Sequence, residues 1–274
     1  MKIPLTILLT TGIIFLFFIS YSYSSVDYYP AGSRQAGMAN SSVTLSDLWC
    51  VYHNQAGLAN LTRLSAGVHH ENKFLVKEYG LQALAIALPV KNGVFGLSVS
   101  YFGYSKYNEI KAGLAFARSF GKGFSAAVQI DYCNTFVSGE YGNKGIAVIE
   151  AGILSEPLEN LHIGAHIYNP THQRISEYDE LIPTIFRFGV SYNFFNKITL
   201  AVENEKDIEM SPMFKIGLEY HMINYFYLRT GISTNPSLTT FGLGYVIKHA
   251  KADIAFSYHQ ILGLSPHFTL SYEF

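Results

Sequence analysis

The chain has 274 residues, enough for one large domain or two small ones. Its formal net charge of −1 gives no reason to expect a nucleic-acid partner. Charged residues make up 14% of it, against about 25% in an ordinary soluble domain, while aromatics reach 15%, with 20 Tyr, 20 Phe and one Trp. Although 49% of the residues are hydrophobic, no run beyond residue 25 approaches the roughly 18–20 apolar residues of a membrane helix. That composition argues against a helical membrane protein and suits a sheet with one face in lipid.

The chain opens with a basic Lys2, an apolar core from Ile3 to Ile19 and a small-residue run from Ser20 to Ser25. This pattern predicts a cleaved secretory signal over residues 1–25. Polar Thr6, Thr10 and Thr11 favour cleavage over an uncleaved anchor helix, and no Cys lies near the cleavage region, so no lipoprotein is expected. Cys50 and Cys133 are the two cysteines. A disulfide in an oxidising compartment and two unpaired thiols acting as small hydrophobes are both open.

Residues 26–62 form a second segment, small and polar from Tyr28 to Thr62, with Gly32, Gly37, Gly57 and the single Trp49. Leu45 to Leu58 predicts one or two helical turns, with Ser46 or Asp47 as N-cap. A polar segment of this length ahead of a barrel is positioned to fold into its lumen as a plug.

Residues 63–274 alternate with period two, the signature of strands whose successive side chains point to opposite faces. Phe186, Phe188, Val190, Tyr192 and Phe194 oppose Arg187, Gly189, Ser191 and Asn193; Phe214, Ile216, Leu218 and Tyr220 oppose Lys215, Gly217, Glu219 and His221. In the last segment Phe268, Leu270, Tyr272 and Phe274 oppose His267, Thr269, Ser271 and Glu273. Clear alternation also marks Phe95–Tyr101, Phe124–Tyr132, Leu161–Ile167, Ile198–Val202, Phe241–Tyr245 and Ala252–Tyr258. It is weaker over Leu64–His70, Leu84–Val90, Ile110–Phe116, Ala147–Ile153 and Phe226–Ile232. The sum is about fourteen strands.

Every second connection is tight: Lys91-Asn92-Gly93, Gly121-Lys122-Gly123, Pro157 to Asn160, Asn196-Lys197, Ile223-Asn224 and Lys248 to Ala250. Such steps are hairpin chemistry. The connections between them read as longer and more polar, as over Asn134–Lys144, Asn169–Leu181 and Glu203–Ser211. Short turns at one end and long loops at the other predict an all-β, antiparallel, up-and-down transmembrane barrel in a Gram-negative outer membrane. Its partners would then be outer-membrane lipid and the barrel-assembly machinery. The terminal aromatic Phe274 resembles the signal by which such barrels are recognised for assembly.

Charges fall on the inward face: Asp131, Glu150, Arg187, Glu203, Lys215, Glu219, Asp253 and Glu273. Each would be costly in lipid; in a lumen they can pair, meet water or hold a plug. Structural pairing is the expected role, ahead of a solute-selecting ring. Small inward residues at Gly96, Ser98, Ser100, Gly164, Gly242 and Gly244 suggest an interior that need not be tightly packed. An Arg at inward Gly217 or Ser191 would on this reading be mild.

Three blocks of the N-terminal segment carry a resemblance. They are Ala31-Gly32-Ser33-Arg34-Gln35-Ala36-Gly37-Met38-Ala39, Leu45-Ser46-Asp47-Leu48-Trp49, and Tyr52-His53-Asn54-Gln55-Ala56-Gly57-Leu58-Ala59. Together they resemble the N-terminal signature of the PorV/PorQ family, within the wider FadL-like fourteen-stranded barrels. That family usually has Pro where Gln55 stands, and an acidic pair where Asp47 stands alone. The resemblance singles out Gly37, Met38, Asp47, Asn54, Ala56 and Gly57 as plug-motif residues. It implies either of two roles: an accessory or shuttle for type IX-like protein secretion, with secretion-system proteins or exported cargo as partners, or a FadL-like channel for hydrophobic small molecules. A structural barrel without transport is the third reading.

No motif commits the chain to catalysis, and no cofactor is implied: there is no Gly-x-Ser-x-Gly, Walker loop or Cys-rich ligand set. His162 and His166 are four residues apart, about 13 Å along a strand, too far to share an ion, and His69 and His70 point to opposite faces. No metal site is expected from this spacing.

Overall fold

The computed structural model describes residues 28–274 apart from 122, 140–141 and 176–179. The signal expected over 1–25 lies outside the described residues. Among those described, no helix is long and apolar enough to cross a membrane.

The strands are β1 (Ser65–Asn72), β2 (Gly80–Val90), β3 (Gly93–Tyr104), β4 (Tyr107–Ser119), β5 (Phe124–Val137), β6 (Gly142–Leu158) and β7 (Leu161–Tyr168), then a small hairpin of β8 (Arg174–Ile175) and β9 (Glu180–Leu181). They continue as β10 (Ile185–Phe194), β11 (Ile198–Asp207), β12 (Met213–Ile223), β13 (Phe226–Ser233), β14 (Leu238–Ile247), β15 (Ala250–His259) and β16 (Gly263–Glu273). Apart from the β8–β9 pair, all of them join in one closed antiparallel barrel of fourteen strands in sequence order. Closure sets β1 against β16, from Ser65 opposite Glu273 to Glu71 opposite His267.

The polarity is the inverse of a soluble core. On β12, Phe214, Ile216, Leu218 and Tyr220 are exposed while Lys215 and Glu219 are buried. The exposed stripe recurs at Val68, Leu114, Val128, Ile130, Phe188, Phe241 and Leu270. Such an outward band is stable only against hydrocarbon.

The short turns stand where the sequence puts them. Phe195 and Asn196 both have positive φ, 54° and 56°, the pairing of a type I′ turn, whose twist matches that of the flanking strands. The opposite end differs from expectation. Asn134–Lys144 is mostly strand, with only 138–141 between β5 and β6, and β11 runs on to Asp207. Outward Asn134, Asn204 and Lys206 replace apolar residues there, so the ladder continues after the hydrophobic alternation has stopped. About 9–11 tilted residues cross a bilayer, so β5, with 14, and β6, with 17, project beyond it. The stretch from 169 to 184, which carries β8 and β9, is the long connection of that rim.

Residues 28–62 lie inside. They comprise a short helix α1 (Ser33–Gly37) and two 3-10 turns, Leu48–Tyr52 and Gln55–Asn60. Asp47 caps the first turn by accepting the Trp49 N–H at 2.8 Å, and Asn54 caps the second through Ala56 N–H at 3.2 Å. Cys50, in this segment, and Cys133, on β5, are separate buried thiols.

Two outcomes test this architecture. Leu218→Arg places a cation on the lipid stripe and should destabilise the folded barrel by about 2–4 kcal/mol, read from urea unfolding in lipid vesicles. At the C-terminus, Phe274 N–H donates to Leu64 O at 2.8 Å and its ring packs on Tyr272 at 4.9 Å, whereas Glu273 is exposed at the rim. Phe274→Asp should therefore lower the heat-modifiable population in outer membranes far more than Glu273→Gln. Equal levels would remove Phe274 from the assembly argument.

Candidate functional site

The lumen is filled differently on its two sides. Along β2 to β5 the inward face is small: Ala83, Ala85, Ala87, Ala115, Ala117 and Ala127. Against it packs the apolar part of the N-terminal segment, with Trp49, Val51, Tyr52 and Leu58 all buried. Bulky side chains from the segment supply the volume that the wall leaves out, and the Tyr52 hydroxyl lies 2.8 Å from both Leu84 O and Val99 O.

The other side is ionic. Arg34 donates to Glu219 at 2.9 and 2.7 Å and to Asp47 at 2.9 Å. Glu219 also receives Arg229 at 2.5 Å, and Arg229 reaches Asp253 at 2.7 Å. A second cluster centres on Arg187, which donates to Glu203 at 2.7 Å, His53 O at 3.1 Å and Asn40 O at 3.1 Å. Glu203 accepts the backbone N–H groups of Ser42 and Val43 at 2.7 and 2.8 Å, and Lys215 lies between Glu203 at 3.3 Å and Glu205 at 2.6 Å. In the third cluster Glu150 meets Lys111, His166 at 2.9 Å and Gln55 at 2.5 Å, and Lys111 lies 3.4 Å from Asp131.

In each cluster a charge on the wall is satisfied by the N-terminal segment as well as by its neighbours. Burial, and then the positive charge of Arg187, hold the His53 imidazole well below its usual range. Neutral His53 can accept at Nδ1, 2.9 Å from Ser42 Oγ, while Nε2 faces Ala31 O at 2.9 Å.

The inward glycines are contact points rather than slack. A Cβ on Gly37 would stand 3.1 Å from the Cα of Gly242, and one on Gly217 would meet Met38 O at 2.6 Å. A Gly217→Arg change is thus a clash with the segment, not the mild substitution expected from an open lumen. Gly57 is held as closely, 2.6 Å from Leu45 O. Asn54 donates to Val43 O at 2.7 Å and Ile153 O at 3.0 Å, and Ala56 O accepts Ser125 Oγ at 3.0 Å. Of the acidic residues read as inward, Glu273 stands apart. It lies at the short-turn rim, in a cleft of about 350 Å³ shared with Arg34, Asp47 and Lys251.

Sequence reading passed over Lys111, Arg229 and Arg34. Lys111 and Arg229 sit at inward positions of the weakly alternating β4 and β13, where the period-two rule would have found them. Arg34 has no such periodicity to announce it.

On the lipid side, an apolar hollow of about 630 Å³ spans β5, β6, β7 and β10. Its floor is outward Ala126, Ala151 and Ala165, and its sides are Val128, Ile153, Ile167, Phe186 and Phe188. Behind this floor one inward row runs Ala127, Gly152, His166 and Arg187, and the next runs Leu154, Gly164 and Gly189; His166, Arg187 and Asn204 also line the hollow.

No family model and no curated protein matches the sequence. Solved structures match the fold. The Ralstonia pickettii toluene transporter TbuX superposes with a TM-score of 0.71 at 10% identity, over 89% of this chain and 98% of that one. The P. putida toluene transporter TodX gives 0.67 at 11%, over 90% and 99%, and a Pseudomonas aeruginosa FadL homologue gives 0.65 at 11%, over 90% and 98%. The chain is thus a FadL-like fourteen-stranded barrel in fold.

Glu203→Ala tests the coupling of wall and segment. It takes an acceptor from Ser42 and Val43 and a partner from Arg187, and breaking a buried pair costs about 3–5 kcal/mol. Glu205 remains for Arg187 and Lys215, 3.3 and 2.6 Å away, so the loss falls on docking of the segment. Trypsin should then cut at Arg34 in barrels that stay heat-modifiable, while the wild type is protected. Protection of both would mean that Glu203 does not hold the segment.

Proposed function

We propose that this chain is a plugged outer-membrane barrel that admits small hydrophobic molecules, and that these leave or enter through the wall at the β5–β6–β7–β10 hollow. The hollow carries this reading: a largely apolar recess on the lipid side, floored by three outward alanines, with Ala127, Gly152, His166 and Arg187 behind it and a lumen occupied beyond them. An apolar molecule gains about 25 cal/mol per Å² on leaving water, and a charged, filled lumen offers it no such surface. The fold likeness to two toluene transporters supports small aromatic hydrocarbons as the first class to test.

A second reading rests on a separate observation. The N-terminal blocks resemble the PorV/PorQ signature, and the three ionic clusters tie those blocks to the wall. Such a sealed barrel suits an accessory or shuttle for type IX-like secretion, with exported cargo as its partner.

Uptake of radiolabelled toluene by cells with and without the gene separates them. The channel reading expects slower uptake in the deletion strain and a severalfold loss with Ala165→Phe, which fills the hollow without touching the lumen. Unchanged uptake together with cargo held in the periplasm would replace it with the secretion reading. Deleting residues 31–58 should raise ion conductance in planar bilayers; unchanged conductance would mean that another element closes the lumen.

A further inference from the structure

The seam between β1 and β16 holds a side-chain group that the ionic clusters do not absorb. His69 and Glu71 are two apart on β1 and share its inward face. Register places Glu71 opposite His267 on β16. One ligand atom from each of the three lies within 4.8 Å of the other two, and all three residues are buried.

Each imidazole is held through one nitrogen and leaves the other toward the group. His69 Nδ1 is 2.9 Å from Thr269 Oγ1, and its buried Nε2 has no hydrogen-bond partner among the described residues. His267 Nε2 is 2.9 Å from Ser257 Oγ, and its Nδ1 faces Glu71 Oε2 at 3.8 Å. Metal-binding histidines show this arrangement, with the second ring nitrogen fixed by a neighbouring polar group. Glu71 also differs from Glu150, Glu203 and Glu219, each of which has a Lys or Arg within 4 Å. Among the described residues its ionic contact is His267 alone. Lys73, two residues on, attracts Glu71 from a distance, with its ammonium over the Tyr29 ring at 4.5 Å. A buried carboxylate with no Lys or Arg within 4 Å among the described residues and an orphaned imidazole nitrogen are each costly; one cation between them would satisfy both.

We propose that His69, Glu71 and His267 form a divalent transition-metal site, suited to Zn²⁺, that clasps the first barrel strand to the last. Two imidazole nitrogens and one carboxylate oxygen are a borderline donor set, unlike the all-oxygen shells of Ca²⁺ and Mg²⁺. At bonds of about 2.0–2.1 Å the ligand atoms stand about 3.3 Å apart, so side-chain rotation has to close the group by at most about 1.5 Å, and the His267–Glu71 pair by about 0.5 Å. Three protein ligands leave a fourth position for water. The clasp also reaches the N-terminal segment, because Thr269 Oγ1 accepts the Ser33 N–H at 2.8 Å.

The test uses the full mature chain, without a histidine tag, folded in detergent and stripped with EDTA. Competition against a chromogenic chelator should find one Zn²⁺ per barrel. His69→Gln, Glu71→Gln and His267→Gln should each weaken it by about tenfold or more, and His162→Gln should not. Heat-modifiable migration is required of every variant, so lost binding is scored only on folded barrels. Should none of the three fold, Co²⁺ bound to the wild type decides: visible bands of a nitrogen- and oxygen-ligated tetrahedral ion support the site, and their absence overturns it. Equal titration of the wild type and folded seam variants also overturns it, as does an equal loss with His162→Gln.

Discussion

In the hydrocarbon of a bilayer an unpaired backbone N–H or C=O has no water to bond, and each costs several kcal/mol. A sheet of fourteen strands has two edges to lose, so the pairing of Ser65–Glu71 with His267–Glu273 is the contact that lets the others stand in lipid. Closure also divides the side chains. Whatever faces outward must be apolar, and polar side chains of the membrane-spanning strands must then face the lumen. The charges on β5, β10, β11, β12, β13 and β15 follow from that division before any role in transport is considered.

A lumen lined in this way creates a second demand. Arg187, Glu203, Glu219 and Arg229 are all buried, and buried charges persist only with good partners. Wall pairs meet part of that need, and the N-terminal segment meets more of it: backbone N–H groups for Glu203, carbonyl oxygens for Arg187, and the guanidinium of Arg34 for Glu219. The Ala-rich face of β2–β5 makes the complementary demand for volume, met by Trp49, Tyr52 and Leu58. Barrel and segment are therefore one packed body. Gly164, Gly217, Gly231 and Gly242 mark places where its two backbones nearly touch.

Strand number, order and orientation were legible in the sequence because lipid enforces a strict alternation, as at Phe214–Tyr220 and Phe268–Phe274. The turns were legible for the same local reason, since positive φ at Asn196 is a property of a few residue types. Legibility stopped where lipid stops. Toward the rim opposite the short turns, outward Asn134, Asn204 and Lys206 carry no apolar pattern, so the ends of β5, β6 and β11 read as loop. The lumen failed differently: Gly217 and Gly242 looked like empty space, because a sequence does not say what lies opposite a glycine. Arg34 and Glu219 are 185 residues apart, and nothing local connects them.

The seam and the hollow share this non-local origin. His69 and Glu71 look unremarkable two apart on a strand, and His267 stands alone near the other end of the chain; only closure sets them side by side. Likewise Ala126, Ala151 and Ala165 are single small residues on three strands until closure gathers them into one hollow, Ala126 and Ala165 on either side of Ile153 and Ala151 in the neighbouring row. Barrel geometry thereby gathers small residues in two places, inward on β2–β5 where the lumenal segment supplies the volume, and outward at the floor of the hollow. Because the ionic clusters tie the segment to the charged strands, motion in the lumen requires several buried pairs to part together. Arg187 and His166 belong to those clusters and also line the hollow, so the same buried pairs bear on the wall there.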